Sequence, residues 1–457
     1  MKQKNTNNLL LLFIPIFLDL LLTNLFSSVD SFMLIRYDSL IGNELTHLCE
    51  KAVNTAGQTI SLLTVLIVIC SNGVSIVVGQ YLGAKREDRA KKVLAQGIFF
   101  NTILGIVLMS IFVFFSSTLL KLANTKESFF DLAKDYLSIY AFALPFMAIS
   151  SVISANFRAY GKPIYVTIIS IICNGFNVLL NFLLIYGVGP FPELGIKGAA
   201  IATVLSFILM DIISLVLNRI VLKSEVIPRK LDKCILRNIV KIGLPSALEN
   251  FAYTIASFIV LAAVNTLTEQ EIPARGRINL VLGYIYMFSS ALAAANSIIV
   301  ARYVGQGKYD EAKKLTIKTT IIGLSLIISL VSLLLIIQRP LFLLIDPSDE
   351  AILVIISAIL PIVYMLEIGR CINLIVIQGQ KAAGDVIFPL ILGLISMFTI
   401  MALGSWVLAI WLNLGLFGIF LAQALDEFIR AIISLIRWFS NKWQNKGLVE
   451  NLETKTV

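Results

Sequence analysis

The chain has 457 residues, 58% of them hydrophobic and 14% charged, with a mean hydropathy of +0.89 and a net charge of +9. A water-soluble chain of this length cannot bury so much apolar surface, so its solvent is a bilayer. The positive excess does not indicate nucleic acid, because Lys and Arg sit in short connections between apolar runs, where they set membrane topology.

Twelve apolar runs of helical length follow one another at roughly 9–35, 52–82, 93–120, 129–157, 164–188, 196–221, 239–267, 278–300, 315–338, 351–378, 386–412 and 414–438. The first follows Lys2 and Lys4, but it is longer than a signal-peptide core and lacks a small-residue cleavage site, so it reads as a span retained in the mature protein. Alternating the loops from a cytoplasmic N-terminus places 26 Lys and Arg on one side and 9 on the other, with Arg370 and Arg430 left inside spans. Both termini are therefore expected in the cytoplasm.

A stretch of eighteen residues occurs twice. Ser75–Lys92 (SIVVGQYLGAKREDRAKK) and Ser297–Lys314 (SIIVARYVGQGKYDEAKK) align without a gap at an offset of 222, with nine positions identical. Each reads as a helix leaving the bilayer, a short basic turn and a helix returning. Gly83 and Gly305 suit the left-handed position that ends a helix, and Asp88 and Asp310 suit the N-cap of the next. Other matches support the duplication: Pro15 and Asp19 with Pro245 and Glu249, and Gly195 and Gly198 with Gly415 and Gly418. Pro15 and Pro245 are expected to kink the first and seventh helices. The offset spans an even number of helices, so the halves have the same orientation. The expectation is an all-α integral membrane protein of twelve transmembrane helices in two pseudo-symmetric six-helix lobes. Its parts are an N-lobe over 1–222, a linker over 223–238, a C-lobe over 239–440 and a cytoplasmic tail over 441–457.

Polar residues inside the spans mark the candidate site. A central carboxylate costs about 2.5 to 3.5 kcal/mol to insert, so such groups face the bundle interior. Asp19 and Asp30 lie on one stripe of the first run, with Thr23 and Ser27 between them. The fifth run places Ser170, Asn174, Asn177 and Asn181 on one face, where amides can bond a carboxylate, supply oxygens to a hard cation, or serve as packing contacts. The seventh run carries Ser246, Glu249, Asn250, Tyr253 and Ser257, with Val260 at the counterpart of Asp30, so the halves differ chemically. Glu367 with Arg370 and Asp426 with Arg430 have spacings that allow mutual neutralisation; Glu367 is also a candidate transport acid. Asp211 has no local partner. Cys49, Cys70, Cys173, Cys234 and Cys371 are widely spaced and His47 is alone, so no resident metal or disulfide framework is expected. No catalytic constellation or phosphate-binding loop is present, so no enzyme is expected.

The stretches VDSFML at 29–34, GVSIVVGQYLGAK at 73–85, NVLLNFLLIYG and PELGIKGAAIAT within 177–203, PSALEN at 245–250 and NSIIVARYVGQGKYDEAKK at 296–314 resemble the multidrug and toxic compound extrusion (MATE) family. The resemblance covers nearly the whole chain. It implies a secondary antiporter of a bacterial cytoplasmic (inner) membrane, exporting amphipathic, cationic organic compounds in exchange for Na+ or H+. It further implies Asp30 as the coupling acid and Glu249 and Glu367 as C-lobe acids. Asn181 stands where many members carry a second helix-5 acid, which leaves the coupling ion open. No cofactor is implied; the partners are the small-molecule substrate and the bilayer, and the chain is expected to be a monomer. The rival reading is a flippase for a lipid-linked saccharide, which calls for a strongly basic cavity, whereas the acids noted above make the interior mostly acidic.

Overall fold

A computed structural model describes residues 8–42, 47–228, 230–345 and 350–448. Their regular structure is helical throughout. In chain order the long segments are α1 (Leu9–Leu40), α2 (Leu48–Gly83), α3 (Glu87–Leu122), α4 (Glu127–Ala159), α5 (Pro163–Tyr186), α6 (Ile196–Leu222), α7 (Lys233–Val264), α8 (Glu271–Gly305), α9 (Tyr309–Ile345), α10 (Glu350–Ala382), α11 (Ile387–Trp411) and α12 (Gly415–Phe439). These are the twelve expected spans. The first eleven are long and apolar enough to cross a membrane by composition alone. In α12, Asp426, Glu427, Arg430 and Arg437 break the apolar signal. The ends of the chain, including most of the 441–457 tail, lie outside the described residues.

The chain forms two compact units. One comprises Leu18–Val78 and Arg86–Ala247; its core holds Phe112, Leu120, Leu137, Leu144 and Ile185, all fully buried. The other comprises Met1–Phe17, Gly79–Lys85 and Leu248–Val457, around a core that includes Val260, Ile278, Ile327, Phe342, Leu360 and Leu416. We refer to them as the N-unit and the C-unit.

Local chemistry explains the helix ends. In the N-unit, fully buried Asp38 near the end of α1 accepts the backbone N–H of Cys49 at 3.1 Å and of Glu50 at 3.3 Å. It thereby satisfies donors that the start of α2 leaves free. In the C-unit, Glu271 Oε1 does the same for Leu416 N at the start of α12, at 2.7 Å. Pro15 and Pro245 lie inside α1 and α7, which continue as helix past them. A 3-10 turn over Val65–Ile67 interrupts α2, and another over Ala141–Ala143 precedes Pro145 in α4. In α11 two π-helical stretches, Met397–Leu403 and Val407–Trp411, widen the turn.

The repeated turns correct two expectations. α2 ends at Gly83 and α8 at Gly305, yet neither glycine is left-handed. That conformation falls two residues later, on Lys85 (φ 59°) and Gly307 (φ 72°), which are themselves equivalent at the 222 offset. The glycines serve close approach instead. A Cβ on Gly83 would lie 2.2 Å from the carbonyl oxygen of Arg302, and one on Gly305 would lie 2.1 Å from that of Gln80. Because 80 and 302 are also related by 222, the two contacts join equivalent positions of the repeat and are reciprocal. Asp88 and Asp310 are not N-caps either: the helices begin at Glu87 and Tyr309, which puts both acids inside the first turn. There they favour the dipole without capping it.

The segment after α12 is packed rather than free. Trp438 and Trp443 stack with centroids 4.1 Å apart and both are fully buried. Leu448 N donates to Gln80 Oε1 at 2.8 Å, and the Gln80 amide donates to Ala382 O at 2.8 Å.

Candidate functional site

In the N-unit, α1 presents Asp30 to α5. Asn181 Nδ2 donates to Asp30 Oδ1 at 2.7 Å and also contacts Asn177 Oδ1 at 3.2 Å. Asn177 and Asn181 are buried while Asp30 is half-buried. Among the described residues no Lys or Arg pairs with Asp30. The buried Oδ1 of Asn181 accepts no hydrogen bond, so an oxygen with an unused lone pair sits on the residue that touches the carboxylate. One carboxylate with amide oxygens beside it fits a cation of Na+ type or a proton. Asn174, one turn away from Asn177, turns from this group and donates to Ser170 Oγ at 3.0 Å.

Asp19 has a different setting. Its Oδ2 lies 3.0 Å from Arg158 Nη2, so its charge is met by a base on α4. Asp211 on α6 is buried, and neither carboxyl oxygen is hydrogen-bonded.

The C-unit contains a cavity of ≈ 480 Å³, walled by α7, α8, α10, α11 and α12. Glu249, Asn250 and Tyr253 line it, as does Ser257. Glu367 does not. It is fully buried and bonded to Arg370, which does reach the cavity. The acids here are held by bases: Glu249 lies 2.8 Å from Lys381, Asp426 2.5 Å from Arg430, and Glu427 3.1 Å from Arg430 and 3.6 Å from Arg370. Asn373 donates to Glu427 at 2.7 Å, and Ser396 to Asp426. Both pairs expected from spacing, Glu367 with Arg370 and Asp426 with Arg430, are present. Lys381, Glu427 and Arg158 are additions that sequence reasoning missed. The expectation of a mostly acidic interior does not hold for this cavity, whose lining has Glu249 and Glu427 against Arg275, Arg370 and Arg430. The reason is that Arg370 and Arg430 lie inside their spans beside acids of the same helices, which they neutralise, and Arg275 near the start of α8 adds a third base.

Comparison with known proteins agrees with the duplication. The MatE family model matches twice, at residues 15–183 and 245–407. The chain is 28% identical over 439 residues to the transporter YisQ of Bacillus subtilis, covering 95% of this chain and 94% of that one. It is 23% identical to a probable multidrug resistance protein NorM of Thermotoga maritima, covering 90% of each. A solved structure described as the outward-facing conformation of a multidrug resistance MATE family transporter superimposes with a TM-score of 0.84 at 17% identity, over 95% of this chain and 96% of that one. The two matched stretches together span more than half the sequence, so the chain is a member of the MatE family of membrane transporters.

Proposed function

We propose that the protein is a secondary antiporter that exports amphipathic organic compounds in exchange for Na+ or H+, working as a monomer in a bacterial cytoplasmic membrane. Its two lobes, 1–222 and 239–440, alternate access to either face. Asp30 is the coupling residue, with Asn177 and Asn181 as its oxygen and amide partners. The observation that carries this reading is a contrast among carboxylates. Asp19, Glu249, Glu367, Asp426 and Glu427 are each met by an Arg or Lys, whereas half-buried Asp30 is held by an amide. A carboxylate with a built-in counter-cation gains little from a transported one, while one bonded only to a neutral donor keeps its charge for the ion.

Binding of the ion at Asp30 neutralises a charge inside the membrane and shifts the balance between inward- and outward-open states by the ion's differential affinity for them. At 100 mV one charge moved supplies about 2.3 kcal/mol, enough for roughly fiftyfold accumulation. Relatives carrying multidrug resistance names support the export direction. The flippase reading draws on the three arginines of the C-unit cavity, but Arg370 and Arg430 are already shared with carboxylates, which leaves no strongly basic surface for a polyanionic headgroup. The test is efflux of a fluorescent amphiphile from proteoliposomes with sodium and proton gradients imposed separately. One gradient drives accumulation if the reading is right; movement that ignores both gradients refutes it.

A further inference from the structure

The connection from α6 to α7 lies against α3 as a strap held at both ends, all within the N-unit. At its start, Glu225 N donates to Lys91 O at 3.1 Å, and Ser224 accepts from Asn218 Nδ2 at its carbonyl (3.2 Å) and from Asn156 Nδ2 at its hydroxyl (3.4 Å). At its end, Asp232 N donates to Gln96 Oε1 at 3.3 Å, while Asp232 Oδ1 caps α7 by accepting Cys234 N at 2.9 Å. Between these anchors the strap and α3 bound a cavity of ≈ 640 Å³. Lys92, Lys230 and Lys233 line it, all three are exposed, and among the described residues none of them forms an ion pair. Its acids are Glu225 and Asp232, and the Asp232 carboxylate already serves α7. Gln96, on α3, is 1% exposed; the strap takes its oxygen, and among the described residues its Nε2 has no acceptor. A buried amide donor left over beside three uncompensated ammonium groups calls for an anion.

The surroundings indicate where the anion comes from. Ile227 and Leu231, on the same strap, are 80% and 55% exposed. Apolar side chains alternating with lysines suit the headgroup layer of a membrane better than water. The loop charges place this face in the cytoplasm, where the leaflet is anionic. We propose that the cavity binds a phosphate group carried by the headgroup of an anionic membrane lipid, with Gln96 Nε2 donating to a phosphate oxygen and Lys92, Lys230 and Lys233 around the charge. A zwitterionic lipid offers the same phosphate but brings a quaternary ammonium toward the lysines. The site shares no residue with Asp30 and its partners, so it stands or falls independently of the coupling mechanism.

The test uses the delipidated full chain in detergent. Binding of phosphatidylglycerol and of phosphatidylcholine is counted by native mass spectrometry, and binding of inorganic phosphate is measured by titration calorimetry. Phosphatidylglycerol is expected to bind in preference to phosphatidylcholine. Substituting Lys230→Gln together with Lys233→Gln should weaken phosphatidylglycerol about fivefold per lysine. Lys308→Gln with Lys314→Gln, which removes the same charge from the turn after α8, should leave it unchanged. Gln96→Glu keeps an oxygen for Asp232 N and puts negative charge where the donor stood, so it should abolish the preference. Because Lys230 and Lys233 are exposed, the lysine pair tests the site even if Gln96→Glu fails to fold. Wild-type affinity in the Lys230 and Lys233 variant overturns the proposal, as does an equal loss in the Lys308 and Lys314 variant. Equal binding of the two lipids overturns the lipid source: the phosphate site then stands only if inorganic phosphate binds the wild type and not Gln96→Glu, and otherwise falls with it.

Discussion

Replacing Asp30 by Asn isolates the coupling step from the fold. The substituted amide keeps the size of the carboxyl and an oxygen to accept the Asn181 Nδ2 hydrogen bond, 2.7 Å long in the native protein. What is lost is the charge. A hydrogen bond to a charged acceptor is worth about 1 kcal/mol more than one to a neutral acceptor, and removing a partly desolvated carboxylate offsets some of that loss. Stability should therefore change by no more than about 1 kcal/mol, a small shift in unfolding temperature. The functional loss is far larger: without a site for the ion, accumulation of roughly fiftyfold per charge at 100 mV falls to equilibration. The assay is uptake of a fluorescent amphiphile into inside-out proteoliposomes carrying a fixed ion gradient and potential, with counterflow between equal dye pools as the control. Asp30→Asn should retain counterflow and lose concentrative uptake. Wild-type accumulation by the variant would refute the reasoning; the buried N-unit acid with neither base nor hydrogen bond, Asp211, is distinguished from Asp30 by its own substitution.

Lys381→Met should destabilise the protein by about 3 to 5 kcal/mol, since it leaves Glu249 buried without its cation; pairing it with Glu249→Leu should restore most of the loss in thermal unfolding. Gly83→Ala and Gly305→Ala should each cost about 1 to 3 kcal/mol and by similar amounts, because the two contacts are equivalent and each Cβ meets a carbonyl oxygen near 2 Å. Trp443→Ala should cost about 3 to 5 kcal/mol, as it empties the stack on Trp438, and limited proteolysis after Phe439 should rise with it. Asp211→Leu should raise the unfolding temperature and spare transport, because it removes a buried carboxyl with no hydrogen bond; loss of driven efflux in that variant would assign Asp211 a part in coupling.

What the sequence reveals and what it hides follow one rule, that local spacing is visible and contacts across helices are not. The spans, the duplicated turn and the Asp30 and Asn181 stripes appear as periodicity along one helix, and the structure joins the two stripes directly. Glu367 with Arg370 and Asp426 with Arg430 are neighbours within one or two turns, so spacing finds them. Lys381 and Arg158 sit just beyond the apolar runs that precede them, where topology rules count them as loop charges. Only the packed structure shows them turning back to Glu249 and Asp19. Glu427 stands next to Asp426 and was legible as an acid, but its role as the hinge between Arg370 and Arg430 depends on α10 meeting α12. The glycine turns show the same limit. A glycine at a helix end signals either a left-handed residue or a close approach, and the choice rests on what lies opposite, here Arg302 and Gln80.

The central claim is that an ion moves because substrate moves. Proteoliposomes loaded with Na+ or with a pH dye are given substrate from outside, and ion flux is followed alongside substrate uptake. The account predicts a saturable flux of one of the two ions, opposite in direction to the substrate and absent in Asp30→Asn. Substrate uptake with no counterflux of either ion in the wild-type protein would contradict it.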